Sequence, residues 1–425
     1  METASNIPHL TAHLFRHESG KMVAVLTKIF GTENLETAED VVQQTFIDAL
    51  QVWKFKGVPD NPSAWLFRVA KNKAIDVIRK NKHSVQYDFN DSERALLKSE
   101  YTLTVTMEHL FKKELVGDDM LRMMFACCHP NISSENQITL ILKTLCGFST
   151  AEIAKAFLTS EDTVSKRLYR TKEFFRKEKI KLEIPSVEEI KNRTDVVLNS
   201  IYLLFNEGYN STYNKELIRE DLISEALLLC KLLIDNTNTQ QPETYALMAL
   251  MCFHSSRSAS RLTATGEIIL LPLQDRTKWN AVMLEHGNYY MNKAAYGSTL
   301  STYHLQAAIA YEHCTSPSFD KTNWKIILGY YDLLCKISPS PAILLNKIAV
   351  VMQLHGPLNA LQQLEEMNDH KKLETFYLYH SLLGEINFRL NRREESKKNF
   401  EKAISLTQSP SEKALLSSKI AVMFN

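Results

Sequence analysis

From Ser160 to Lys177 the chain reads SEDTVSKRLYRTKEFFRK, a run of lysines and arginines interleaved with serine and threonine. Cations at this density hold phosphates, and lysine, arginine and threonine side chains reach base edges. On a helix advancing about 100° per residue, Val164, Leu168, Thr171 and Phe175 share one stripe. Thr163, Lys166, Arg170 and Lys177 share a roughly opposite one. Just upstream, STAEIAKAF offers Ser149 as an N-cap, with Ile153, Ala154 and Phe157 as apolar positions. A short turn at Leu158 and Thr159 leads to Ser160, which caps the next helix while Glu161 and Asp162 favour its positive end. A buried stripe under a Thr/Lys/Arg face, after a short helix and a tight turn, is the build of a recognition helix for a major groove. A plain surface hairpin also carries such cation density, and Leu158 stands where many such turns place glycine. This segment by itself leaves both readings open.

A second stretch, PDNPSAWLFRVAKNKAIDVIRKNKH, sets Asn61 before Pro62, a cap residue followed by proline in the first turn. Leu66, Phe67, Ala70, Ala74, Val77 and Ile78 make its buried face. The other face holds Trp65, Arg68, Val69, Asn72, Lys73, Asp76, Arg79 and Lys80. Aromatic rings stack on unpaired bases, amides and carboxylates read base edges, and cations hold phosphates. The plainer alternative is a tryptophan packed against a neighbouring helix. Ahead of it, TAEDVVQQTFIDALQVW is an amphipathic helix with Thr37 as its cap and Ala38, Val42, Phe46, Ala49 and Trp53 as core stripe. Its exposed side, Asp40, Gln43, Gln44, Ile47 and Asp48, is uncharged to acidic, which suits a protein partner better than phosphates.

Catalysis has no visible carrier. The chain shows no glycine-rich phosphate loop and no G-x-S-x-G elbow, so no catalytic residue and no cofactor are assigned. No metal is assigned either. In CCHP (Cys127–Pro130) the adjacent helical cysteines point about 100° apart, and no second ligand pair lies at finger spacing. The LPLQDRTKW stretch invites an active-site reading through Gln274, Asp275, Arg276 and Trp279, but a buried Arg–Asp pair fixing a helix start is the preferred reading.

The elements that must position these residues are helices. Helical periodicity runs almost throughout, without a convincing alternating strand or Asn-Gly hairpin, so the expected fold is all-α. A length of 425 residues suggests two to three domains. With 44% hydrophobic and 23% charged residues, the composition is that of an ordinary globular protein. A net charge of +1 excludes a wholly basic nucleic-acid binder and confines that role to local patches. No signal-peptide pattern or bilayer-length apolar run is present, and the seven scattered cysteines fit reduced thiols. The expected location is the cytoplasm, off the membrane. A first helical domain is expected over 8–83, a polar linker over 84–115 and a second helical domain over 116–182. Pro185 is expected to break the basic helix before it, opening an all-helical extension over 186–425.

Taken in order, AEDVVQQTFIDAL, NPSAWLFRVAKNKAIDVIRK and FSTAEIAKAFLTSEDTVSKRL resemble regions 2.2, 2.3–2.4 and 4 of the bacterial sigma-70 family. The form is the compact extracytoplasmic-function (ECF) type, and the resemblance spans roughly residues 10–182. It implies a sigma region 2 domain, a linker, a region 4 helix-turn-helix domain, and a non-enzymatic subunit that binds core RNA polymerase and promoter DNA. Asp40, Gln43, Gln44 and Ile47 would meet the polymerase clamp. The family most often has an acidic residue where Gln44 stands. The loop Lys54–Ala64 and the face of Trp65, Arg68, Asn72, Lys73, Asp76, Arg79 and Lys80 would melt and read the −10 element. Thr163, Lys166, Arg167 and Arg170 would read the −35 element.

The extension departs from simple ECF factors, which end near Leu182. YHSLLGEINFRLNRREESKKNFEKAISL (Tyr379–Leu406) resembles a tetratricopeptide (TPR) repeat at Leu383, Gly384, Phe400 and Ala403, with Asn387 and Ser396 where an aromatic and an alanine are usual. SPAILLNKIAVVMQLHGPLNALQQLEEM looks like a degenerate neighbour, placing TPR-like repeats near 340–410. A group of ECF factors carries a helical extension of this length, and RSASRLTATGEIILLPLQDRTKWN resembles its pattern. The extension is read as regulatory, a docking place for a protein or ligand. The alternatives are a TPR-like interaction scaffold and a conventional helix-turn-helix regulator. The Trp65 face and the Asp40 helix discriminate, because a repressor needs neither single-strand contacts nor a polymerase clamp surface.

An inhibitory domain that masked two basic faces would carry a strong acidic excess. From Ile184 onward basic and acidic residues are nearly balanced, so the extension is expected to support activity. Truncation near Pro185 should lower run-off transcription relative to the full chain at matched soluble amount. A truncated form that transcribes better would mark an autoinhibited factor.

Overall fold

The computed structural model describes residues 7–80, 107–111, 113–156, 159–210, 217–297, 299–366 and 373–424. Among them there is no strand, only an isolated antiparallel bridge between Leu262 and Ile268, so the fold is all-α. The chain forms two compact units. One takes in residues up to Phe205 together with Asp221–Thr239, the other Asn206–Glu220 together with everything from Gln240.

The first unit opens with α1 (Ile7–Phe30), α2 (Leu35–Lys56) and α3 (Pro62–Lys80). From Met22 to Phe30, α1 is buried on nearly every side, because Met22, Val23, Val25, Leu26, Ile29 and Phe30 leave no polar stripe. Ala38, Val42, Phe46, Ala49 and Trp53 of α2 are all buried, as the periodicity requires. The helix starts earlier than the expected Thr37 cap. Burial of Leu35 draws the first turn into the core, and Asn34 takes the cap position without a side-chain cap bond. On α3, Asn61 Oδ1 accepts from the Ala64 N–H at 3.0 Å. Leu66, Ala70, Ala74 and Ile78 are buried together with Ile75, whereas Phe67 and Val77 are half-buried. His83 and most of the expected linker lie outside the described residues.

After a short helical stretch at 107–110, the described residues continue with α4 (Lys113–Cys127), α5 (Ser134–Thr144), α6 (Thr150–Ala156) and α7 (Glu161–Glu178). Ser149 and Glu152 form a reciprocal cap on α6, with Ser149 N donating to Glu152 Oε2 at 2.8 Å and Glu152 N to Ser149 Oγ at 3.2 Å. Phe157 and Leu158 lie outside the described residues, and Thr159 N donates back to the Ala154 carbonyl at 2.9 Å. Val164, Leu168, Thr171 and Phe175 are the buried stripe of α7, as expected. Pro185 does not end this helix. Lys179 does, in the left-handed conformation at φ 47. The turn buries Ile180 and presents its carbonyl to Thr32 Oγ1.

Two more helices, α8 (Val187–Tyr209, through Phe205) and α9 (Glu220–Asp235, from Asp221), complete the first unit. Leu198, Ile201, Leu204, Leu222 and Leu229 are buried there, so the first helices after Pro185 pack with those before it. The second unit centres on α10 (Pro242–Ser256), buried without a break from Ala246 to Phe253 beneath α11 (Ala281–Ala294) and α12 (Thr302–Thr315). It continues through α13 (Trp324–Ile337), α14 (Pro341–His355), α15 (Pro357–Glu365), α16 (Tyr377–Arg389), α17 (Arg393–Leu406) and α18 (Pro410–Phe424). In the α16–α17 hairpin Gly384 lies against Phe400, where a Cβ would come within 2.9 Å. Ser396 Oγ donates to the Gly384 carbonyl at 2.8 Å, which accounts for a serine at that helix contact.

The tightest approach in the first unit is at Gly20 on α1. A Cβ there would stand 2.0 Å from the carbonyl oxygen of Leu145, a backbone atom that cannot rotate away. Gly329, exposed within α13, meets nothing within 4 Å. Gly20→Ala should therefore destabilise by about 1–3 kcal/mol, and Gly329→Ala should stabilise by about 0.5–1 kcal/mol. Urea unfolding of both variants against wild type is the check; equal stability of Gly20→Ala and wild type would refute the close contact.

Candidate nucleic-acid and protein interfaces

On α2 the residues expected to meet a protein are exposed together: Asp40, Gln43, Gln44 and Ile47 (45% exposed), continued by Leu50 (40%). Asp48 is different. It accepts from Gln44 Nε2 at 2.9 Å and lies 2.7 Å from Lys73 Nζ of α3. Burial alone would raise its carboxyl, but the hydrogen bonds and charge of Lys73 and the Gln44 amide outweigh it and hold the pKa below its ordinary value. Lys73, expected on the nucleic-acid face, is thus engaged in tying α3 to α2.

Along α3, Arg68, Asn72, Asp76, Arg79 and Lys80 are exposed, with Asp76 and Arg79 at 3.7 Å. Trp65 is half-buried, its ring edge-to-face with buried Trp53 at 5.4 Å and 62°. The ring therefore both packs on a neighbouring helix and keeps an open side among the polar residues. One candidate escapes the periodicity. Phe55, 83% exposed, stands between Lys54 and Lys56 off the buried stripe of α2, beside the loop that leads to Asn61. Its break from the Ala38–Trp53 stripe was the available signal.

The outer side of α7 presents Lys166 and Arg170, both exposed, with Tyr169 at 65% exposure between them. Lys166 pairs with Asp162 one turn back at 2.6 Å, an exposed contact worth little. Thr163 is engaged in the cap: its N–H donates to Ser160 Oγ at 3.2 Å and the two hydroxyls lie 2.9 Å apart. Arg167 turns to Glu135 of α5. The inner side of α7 is pinned to α2, Lys172 to Glu39 and Arg176 to Glu36.

A second charged cluster joins α1, α6 and α9. Arg16 reaches Glu152 at 2.8 Å and Asp221 at 3.2 Å, and His17 faces buried Glu225 at 3.2 Å. Burial pushes the Glu152 carboxyl up. The Arg16 charge and hydrogen bonds from Ser149 and Arg16 more than reverse this, holding it at about 2. His13 and His17 form an i,i+4 pair with ring centroids 4.3 Å apart. Among the described residues, no three histidine, cysteine or acidic side chains are grouped to hold a metal. Cys127 and Cys128 are both buried, and burial pushes the Cys127 thiol up to about 12, although its Sγ lies 3.9 Å from Thr144 Oγ1.

Residues 14–84 match the family described as Sigma-70 region 2, and residues 122–175 match Sigma-70, region 4. Residues 193–295 match a family of unknown function, DUF6596. The chain is 32% identical over 383 residues to the uncharacterized protein R00370 of Rhizobium meliloti (strain 1021), covering 90% of this chain and 89% of that relative. No solved structure matches. No helix among the described residues is long and apolar enough to cross a membrane.

The Glu152 pKa, held below an ordinary glutamate's 4.5, contributes stability that is full above that value and is lost as pH falls towards about 2. The stability that Glu152→Gln removes should therefore shrink as pH falls from 6 to 3, roughly the range over which such a carboxylate begins to protonate. Urea unfolding across that range reads it. A pH-independent difference would contradict the Arg16–Glu152 assignment.

Proposed function

Because this chain belongs to the sigma-70 family, in its ECF-like form with a C-terminal extension, we propose that it binds core RNA polymerase and directs it to particular promoters. The sigma role in transcription initiation follows from membership; the assignment of surfaces is the proposal. Asp40, Gln43, Gln44 and Ile47 on α2 meet the polymerase. Trp65, Arg68, Asn72, Asp76, Arg79 and Lys80 on α3 engage the −10 element, with Lys73 buttressing the face through Asp48. Thr163, Lys166, Arg167 and Arg170 at α7 engage the −35 element. The subunit is no enzyme and works in the cytoplasm.

The observation that carries this reading is Trp65, half-exposed among amide, carboxylate and guanidinium groups on a helix separate from the cationic side of α7. A repressor that binds duplex operators has no use for a stacking ring beside a protein-binding helix. The extension is proposed to be regulatory and to support activity. Helices α8 and α9 pack within the first unit, and Asp221 pairs with the same Arg16 that holds Glu152, which supports a role in keeping that unit assembled.

Two variants separate the DNA surfaces. Trp65→Ala should leave polymerase binding intact and impair strand opening seen by permanganate footprinting, since one lost stacking contact costs about 1–3 kcal/mol. Lys166→Ala with Arg170→Ala should instead weaken −35 DNA binding and flatten its salt dependence. Full melting by Trp65→Ala, or an unchanged salt slope in the double variant, would remove the corresponding role.

A further inference from the structure

In the second unit the end of α10, the helical turns Ser258–Ser260 and Arg276–Lys278, and the end of α12 converge. Asn280 N donates to the Ser256 carbonyl at 2.8 Å, and Cys314 Sγ lies 3.5 Å from the Phe253 carbonyl. This junction gathers Arg257, Arg261 and Arg276 around His254 and His313. Among the described residues none of the three arginines has a carboxylate partner in an ion pair. Asp275, expected to pair with Arg276, does not. It accepts from the Thr277 N–H at 3.0 Å and lies 3.7 Å from Lys278, out towards solvent, so the expected buried Arg–Asp pair is absent. The turn Arg276–Lys278 needs its own cap, and that requirement takes the carboxylate.

Two of the arginines are partly occupied by helix ends. Arg261 stacks 3.8 Å over the Tyr209 ring and donates to the Tyr209 carbonyl at the end of α8. Arg276 Nη1 donates to the carbonyls of His313 at 2.8 Å and Ser316 at 2.7 Å, closing α12, and its guanidinium lies 4.4 Å from the Trp279 ring centre. Arg257 is different. It is 9% exposed, and its Nη2 reaches only the Tyr209 hydroxyl at 3.3 Å and His254 Nδ1 at 3.0 Å. Its Nε has no acceptor. Arg276 Nη2, Trp279 Nε1 and His313 Nδ1 are likewise buried without a protein partner.

An arginine does not shed its proton, so a buried guanidinium without a counter-charge must be balanced from elsewhere. The histidines do not balance it. Burial and the charges of Arg257 and Arg276 push His313 down to about 4, so its ring is neutral. What remains is an excess of donors and positive charge lacking its acceptor, the complement of a group with two or more anionic oxygens.

We propose that this junction binds a small oxyanion, a carboxylate or phosphate group, held by Arg257 and Arg276 beside the Trp279 indole. The site is distinct from the surfaces assigned to polymerase and promoter, and its test needs neither. Full-length protein is titrated by calorimetry with sodium phosphate and, separately, with sodium succinate, against sodium chloride at matched ionic strength. At least one oxyanion should bind where chloride does not, and which one responds identifies the group. Arg257→Gln should weaken that binding about tenfold or more, the worth of a lost charged hydrogen bond, while Lys278→Gln leaves it unchanged. Should Arg257→Gln not fold, Arg257→Lys, which keeps the charge and loses the fork, takes its place with the same expectation. Binding of neither oxyanion, or equal binding by the Arg257 variant, as for phosphate held on α7, would overturn the proposal.

Discussion

A half-buried ion pair between Glu39 on α2 and Lys172 on α7 sets the frame for the first unit. It joins the helix assigned to the polymerase to the helix assigned to duplex DNA, and Arg176–Glu36 and the Thr32–Ile180 contact extend the same seam. Removing one partner of such a pair leaves a charge poorly solvated, so the seam fixes orientation more than it adds net stability. Its consequence is a division of labour around α7. Thr171 and Phe175 are buried and Lys172 is taken up at the seam, which leaves Lys166, Tyr169 and Arg170 turned outward.

Much of this was legible in the sequence because helical periodicity reports which side of a helix is buried. The stripes of α2 and α7 and the Asn61-Pro62 start of α3 are found where the pattern puts them. Partners across the fold were not legible. Nothing local links Glu39 to Lys172 or Arg16 to Asp221, and a cation on a polar face looks alike whether it meets phosphate or, like Lys73, an aspartate of the neighbouring helix. The end of α7 departs from the sequence pattern for a related reason. Lys179 adopts the left-handed conformation without being glycine, because the turn lets Ile180 bury.

The segment after Pro185 does two different things. Its first helices complete the core of the unit that carries the sigma regions, with Leu198, Phe205 and Leu229 buried there, whereas Asn206–Glu220 and the chain from Gln240 make up the other unit. Loss of activity on cutting at Pro185 would thus follow from removing α8 and α9 alone. A chain ending after Thr239 separates that structural contribution from regulation by the second unit.

Run-off transcription from fragmented genomic DNA, with core RNA polymerase and the full-length protein, addresses the sigma role most directly. Discrete transcripts should appear only when the protein is added and should be lost when the α2 surface is reversed in charge by Asp40→Lys with Gln43→Lys, two exposed positions that tolerate lysine without disturbing the core. An absence of protein-dependent transcripts, or transcripts indifferent to that reversal, would contradict the assignment of this unit to polymerase and promoter.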